Sequence, residues 1–250
     1  MYRLSSFIKP LFCAAALAAA SLSAQSAGIP GQGTWETTLQ ARDFNGDGTA
    51  DAFYDTALNI TWMADWNETR GTNGAVEGFQ HWGAAVAWAA GLNIHGTTGW
   101  RLPSVTDTGP PGCDFSTAGG TDCGYNLDTS TGEMAHMFYV TLGNKSLCTP
   151  GDAVCAAIDY QAGYGLSNTA HFVGMQPYVY WTGTSYAPDS GEAWVFSNSV
   201  GAQSPTPTGT GWYSVAVHDG DVTAVAEPQA LTMMLAGLAG VGCLIRRRKR

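Results

Sequence analysis

Four basic residues, Arg42, Arg70, Arg101 and Lys145, are all that stand between the two apolar ends of this 250-residue chain. One of them lies in Gly99-Trp100-Arg101-Leu102-Pro103-Ser104. In a strand, Trp100 and Leu102 point one way and the Arg101 guanidinium points the other. Pro103 then ends ladder pairing. A cation between two large apolar groups, in a chain with 20 acidic residues, needs a carboxylate partner inside the fold. The stretch is therefore expected to be a packed strand held by an ion pair, not a ligand-binding arginine.

The ends carry targeting information. Arg3 and Lys9 precede an apolar, alanine-rich run over residues 11–22, and the small residues Ala24, Ser26 and Ala27 follow. This is the pattern of a secretory leader handled by the Sec machinery, so residues 1–27 are read as a signal peptide. At the other end, Glu227-Pro228 precedes an apolar run over residues 230–245, and Arg246-Arg247-Arg248-Lys249-Arg250 closes the chain. A helix of that run measures about 24 Å, short of the ~20 residues of a comfortable span. Gly237, Gly240 and Gly242 suit a membrane helix better than a soluble one. The basic end is expected to stay cytoplasmic. So short a span reads as a temporary inner-membrane anchor.

Without its ends the chain is strongly acidic. Residues 28–226 hold 19 acids against 4 bases, a net charge of −15. Such a domain repels nucleic acid, anionic membrane and uronic or sulfated polysaccharide, and it invites cations. Four cysteines fall in it, Cys113, Cys123, Cys148 and Cys155, with three possible pairings. The local pairs Cys113–Cys123 and Cys148–Cys155 are favoured because each brackets a glycine-containing loop. Neither has C-x-x-C spacing, so disulfides in an oxidising compartment are preferred to a thiolate metal site.

Element signals are short and scattered among 32 glycines. Residues 34–42 alternate and predict a first strand; residues 53–54 and 60–63 predict a hairpin. Residues 79–92 predict a helix with Trp82, Val86 and Ala89 on one face and Ala85 beside them. Residues 105–126 read as loop. Ser130 and Glu133 form a capping box for a helix to about Leu142, with Gly143 after it. His136 falls off that helix's apolar stripe. Residues 178–186, 193–197 and 212–218 predict strands, and residues 203–211 a loop.

Two resemblances follow from these residues. The tail, with Ala226-Glu227-Pro228, the run from Leu231 and the arginines from Arg246, resembles the PEP-CTERM sorting signal; Ala226 replaces the usual proline. That resemblance implies recognition by an exosortase and cleavage near Glu227-Pro228. It further implies release to the surface of a Gram-negative cell, where such proteins accompany exopolysaccharide. The order Asp55 to Trp62, Trp82 to Leu92, Trp100-Arg101-Leu102-Pro103, Tyr180-Trp181-Thr182-Gly183-Thr184 and Ala193-Trp194-Val195-Phe196 resembles the Lcl C-terminal-like domain. This family belongs with the C-type-lectin-like and formylglycine-generating-enzyme folds. The implied fold is α+β, with short antiparallel strands, two helices and long loops over residues 28–226. Two departures stand out. Gly109-Pro110-Pro111-Gly112 stands where the family has a helix with a glutamate, and Val217-His218 where it often has Val-Arg.

Candidate sites are few. Asp43, Asn45, Asp47, Gly48 and Asp51 match positions 1, 3, 5, 6 and 9 of a calcium loop, and Thr49 could add its carbonyl. Position 12 is Tyr54 where an acid is needed, so a calcium site and a plain polar turn both stand. Trp181, Tyr186, Trp194 and Trp212 are candidate stacking rings for a sugar, although strand aromatics are usually core. The five histidines show no metal-ligand spacing, and no catalytic residue is singled out. The expectation is a non-enzymatic surface or matrix protein that binds carbohydrate. The alternative is a modifying enzyme of the formylglycine-generating type, whose site cysteines are not recognisable here.

Overall fold

Short apolar segments broken by glycine turns can bury themselves only by pairing into small sheets. The computed structural model describes residues 28–69, 78–155 and 160–222. The leader, Arg70, Glu227, Pro228 and the apolar tail lie outside the described residues. In chain order the elements are one helical turn α1 (Trp35–Thr38), then β1 (Leu39–Arg42), β2 (Ala52–Asp55) and β3 (Ile60–Met63). Next come α2 (Trp82–Gly91), β4 (Phe115–Ser116), β5 (Cys123–Tyr125) and α3 (Glu133–His136), continued by a π-helical turn over Met137–Thr141. The last four are β6 (Val179–Ser185), β7 (Glu192–Ser197), β8 (Ala202–Pro207) and β9 (Val217–Asp219).

The strands form two sheets, ordered β1-β2-β3-β9 and β4-β5-β8-β7-β6. Every neighbouring pair is antiparallel except β4 with β5. The architecture is mixed α+β. Phe53 lies opposite Trp62, and Trp62 opposite Val217, so the period of two stacks three buried residues on one face. Trp62 then stacks on Trp66 at 5.3 Å, and Trp66 meets Phe172 and Tyr180. Residues 212–217 cross between the sheets. Trp212 bridges Gln80, Tyr213 bridges Tyr180, and Val217 bridges Arg101. This crossing buries residues 213–217 in succession, which the alternating pattern did not foretell.

Arg101 has the partners its setting demanded. Its two terminal nitrogens donate to Glu133 at 2.8 and 2.7 Å, and Nε and Nη2 reach Asp219 at 3.0 and 2.6 Å. Glu133 also accepts the Ser104 amide at 2.7 Å. One cation thus ties the start of α3, the Trp-Arg-Leu-Pro stretch and β9 together. The contact corrects the capping box. Gly132 is the N-cap, and the Ser130 hydroxyl donates to Asp128 instead. A charge-assisted bidentate pair outweighs a neutral cap.

Other expectations need correction. Residues 35–38 form a helical turn rather than strand, because the Thr37 and Thr38 hydroxyls and amides turn back onto the Thr34 carbonyl. The helix at 82–91 buries Ala85 and Ala89, while Val86 is 38% exposed. Its sequence is apolar on all sides, so periodicity could not choose the face. Two assigned loops contain strands, β4 with β5 and β8. Prolines hid β8: Pro205 and Pro207 lie past the end of β5, so their missing amides interrupt no ladder on that side. Both favoured disulfides form, Cys113–Cys123 and Cys148–Cys155, with Cα atoms 5.3 and 5.1 Å apart. No helix among the described residues is long and apolar enough to cross a membrane; the expected span falls outside them.

Candidate functional site

Of the four rings expected to stack on a sugar, the fold withdraws three. Trp181 is fully buried and donates its Nε1 to the Gln80 carbonyl at 2.8 Å. Trp194 is buried against Val105 and Cys123. Tyr186 is half-buried edge-on to Trp194, and its hydroxyl accepts the Cys113 amide at 3.2 Å. A ring enclosed on both faces cannot stack on a ligand, so Trp181 and Trp194 are core and Tyr186 braces the first disulfide loop. Trp181 shares the main core with its cross-strand partner Val195, while Trp194 points to the other face of the sheet, into the small cluster with Val105 and Cys123.

Trp212, like Tyr186, is half-buried, and two unforeseen rings join it. Tyr178, 44% exposed, lies 5.7 Å from Trp212 and 5.5 Å from Phe79 between ring centroids. Tyr213 lies behind them, 4.7 Å from Phe79. The patch is assembled by the Gln80–Trp212 bridge and by the amide of Tyr213 donating to Val179. Three segments far apart in sequence meet there, and no local pattern announces that. Among the described residues, Trp212 Nε1 and both amide atoms of Gln80 are buried without a hydrogen-bond partner.

In the loop from Asp43 to Asp51, side-chain oxygens accept the loop's own amides. Asp43 accepts the Gly46 and Gly48 amides at 2.7 and 2.8 Å, and Asn45 accepts that of Asp47 at 2.8 Å. Asp47 accepts the Thr49 amide, Asp51 that of Phe44. The Thr49 amide and the Asn45 side chain together hold the Asp47 carboxyl below the ordinary carboxylate range. His95 Nε2 stands 3.3 Å from Asp51. Among the described residues no group of three or more His, Cys, Asp or Glu is arranged to hold a metal ion.

Next to this loop is a cleft of about 520 Å³, with Asp51, Asp65, Glu68 and His95 facing an apolar wall of Met63, Leu92, Ile94 and Val173. Partial burial and the Asp65 charge hold the Glu68 carboxyl above its usual range. A third polar group, deeper in, joins His136, Thr141 and Asp55. The Thr141 hydroxyl lies 3.0 Å from Asp55 Oδ2 and 3.4 Å from His136 Nδ1. Asp55 also accepts the Ala57 amide, so it works as a turn anchor. Burial lowers the His136 pKa, against the Asp55 charge. The four described cysteines are all in disulfides and none offers a thiol.

Two disulfides in one small domain are consistent with an extracellular or periplasmic protein. No family model matches the chain, and no match to it was found among curated proteins or solved structures.

Proposed function

We propose that the chain is an exported, non-enzymatic binding protein whose domain, over residues 28–226, takes carbohydrate at the patch of Phe79, Tyr178 and Trp212. The observation that carries the reading is that patch. Three rings from separate segments meet at the surface, with Phe79 and Trp212 each packed on exposed Tyr178. Aromatic faces pack on the C–H faces of a sugar ring. The net charge of −15 argues for a neutral or cationic glycan rather than a uronic or sulfated one.

The fold is proposed to be the C-type-lectin-like one that the Trp-Arg-Leu-Pro and Tyr-Trp-Thr-Gly-Thr stretches resemble. The tail is proposed to sort the protein through a short inner-membrane anchor, cut by an exosortase near Glu227-Pro228, to the outer surface and its exopolysaccharide. Calcium is proposed as a weak structural ligand of the Asp43–Asp51 loop, with Asp43, Asn45, Asp47 and Asp51 turning free lone pairs to the ion and Thr49 its carbonyl.

A glycan array probed with the domain, with and without calcium, tests the carbohydrate reading. Binding that Tyr178→Ala removes supports it; a domain that binds no glycan overturns it.

A further inference from the structure

The helix α2 has a solvent face with no charged or polar side chain. Gly83, Ala84, Val86, Ala87, Ala90 and Gly91 are all exposed. An amphipathic helix of a soluble domain places polar groups there, and an all-apolar one is ordinarily covered. A Cβ built on Gly83 or Gly91 would meet nothing within 4 Å, so the face is flat and open. Two clefts flank it, the first apolar and the second mixed. One of about 540 Å³ is formed by Ala84, Ala87, Trp88, Gly91 and Leu92. In the other, of about 200 Å³, Val86 and Ala90 face Leu102 and Arg101.

The last described residues start from the second cleft and then turn onto the first sheet, where Asp221 pairs with Arg42 at 2.6 Å and the Val222 amide donates to Thr61. Arg101, on its wall, holds Asp219 at 2.6 Å. Three residues later the described chain ends at Val222. Seven residues, 223–229, separate Val222 from the apolar run that begins at Ala230. Fully extended they reach about 25 Å. A membrane that held the tail would therefore lie within reach of the α2 face.

We propose that, in the anchored precursor, the domain rests on the lipid surface through α2. The proposal depends on the reading of residues 230–245 as a membrane anchor. Charge selects this face. A domain of −15 is repelled by anionic headgroups, least of all where it carries no acid. Half-buried Trp82 and Trp88 border the face and suit the headgroup region. The face is too small to bind a vesicle from solution, but a short tether makes the contact intramolecular and raises its effective concentration. Cleavage near Glu227-Pro228 removes the tether, so the same cut that frees the chain also lifts α2 from the lipid.

The test places a nitroxide at Ala87→Cys, and separately at Ala84→Cys, in the chain without its leader and with Cys243→Ser. The chain is reconstituted in phosphatidylcholine vesicles and compared with residues 28–226 in solution. Collision with a water-soluble nickel chelate should drop several-fold at both positions on vesicles and change little for a label at Ala162→Cys. Labels that stay fully aqueous on chains that float with the vesicles overturn the lipid contact while leaving the anchor intact. Chains that do not float overturn the anchor reading and the contact with it. Dipolar broadening between labels, without lipid protection, assigns the face to a second copy and also overturns the proposal.

Discussion

Arg101 shows how far one residue can be read. A lone cation between Trp100 and Leu102 required an internal carboxylate, and the fold supplies Glu133 and Asp219. Which acids would serve was not legible, because 19 were available in residues 28–226 and the pairing is made by tertiary contact. Glu133→Gln keeps the shape and removes the charge. With the Arg101 side chain 34% exposed, solvent screening tempers the loss. Stability should fall by about 1.5–2 kcal/mol, measured by urea denaturation. An unchanged midpoint would show the pair to be ornamental.

His136 gives a pH signature. Burial lowers its pKa from an ordinary 6.5. A depressed group contributes stability that is whole above the unfolded value and lost as pH falls through the folded one. The melting temperature should therefore fall between about pH 7 and 5, and His136→Gln should flatten that part of the curve. Glu68, held high by burial and by Asp65, acts with the opposite sign on acidification, which is why the His136 variant is needed to isolate the effect.

Among the elements, the hairpin β2–β3, the strands β6 and β7, and both disulfides were legible because each rests on local signals: alternation, turn residues and short loops. Strand β8 was not, since its prolines look like loop until the end of β5 is known. The face of α2 was not, since an all-apolar helix has no moment to read. Cys148→Ser with Cys155→Ser should cost about 2.5 kcal/mol on the chain-entropy account. Peptide mapping without reductant should find no link between the 113–123 and 148–155 pairs. The close approach of Gly143 and Gly33 is a second element-scale constraint. Gly143 has φ +65°, and a Cβ there would lie 2.5 Å from the Gly33 amide nitrogen. Gly143→Ala should lose more than about 2 kcal/mol, read by thermal melting.

The Asp43–Asp51 loop belongs to the same scale. Its sequence fits a calcium loop, while its geometry shows the oxygens bonded to loop amides. If calcium binds with a Kd of about 10⁻⁴–10⁻³ M, millimolar calcium should raise the melting temperature, and Asp47→Ala should abolish the rise. Identical melting in calcium and in chelator would leave the loop a polar turn.

At the scale of the whole molecule, the α+β class and the disulfides were readable, and most of the candidate surface was not. Trp181 and Trp194 attracted attention as rings in strands, yet large aromatics in strands are what a loop-rich domain buries to form its core. The patch that does face solvent depends on Tyr178, Phe79 and Trp212 meeting across a bridge, which only the fold reveals. The ends of the chain yield a separate prediction. Mass spectrometry of protein recovered from the cell surface should find no peptide from Leu231 onward; an intact C-terminus would overturn exosortase sorting.

Glycan binding through this patch is the proposal on which the functional reading rests. Its most direct measurement is titration of the domain, wild type and Tyr178→Ala, with the best glycan from an array screen, alongside a melt of each. Tyr178 is well exposed, so its removal should leave the melting temperature nearly unchanged while weakening binding at least tenfold, about 1.4 kcal/mol. Equal affinity in the two proteins would overturn binding at this patch.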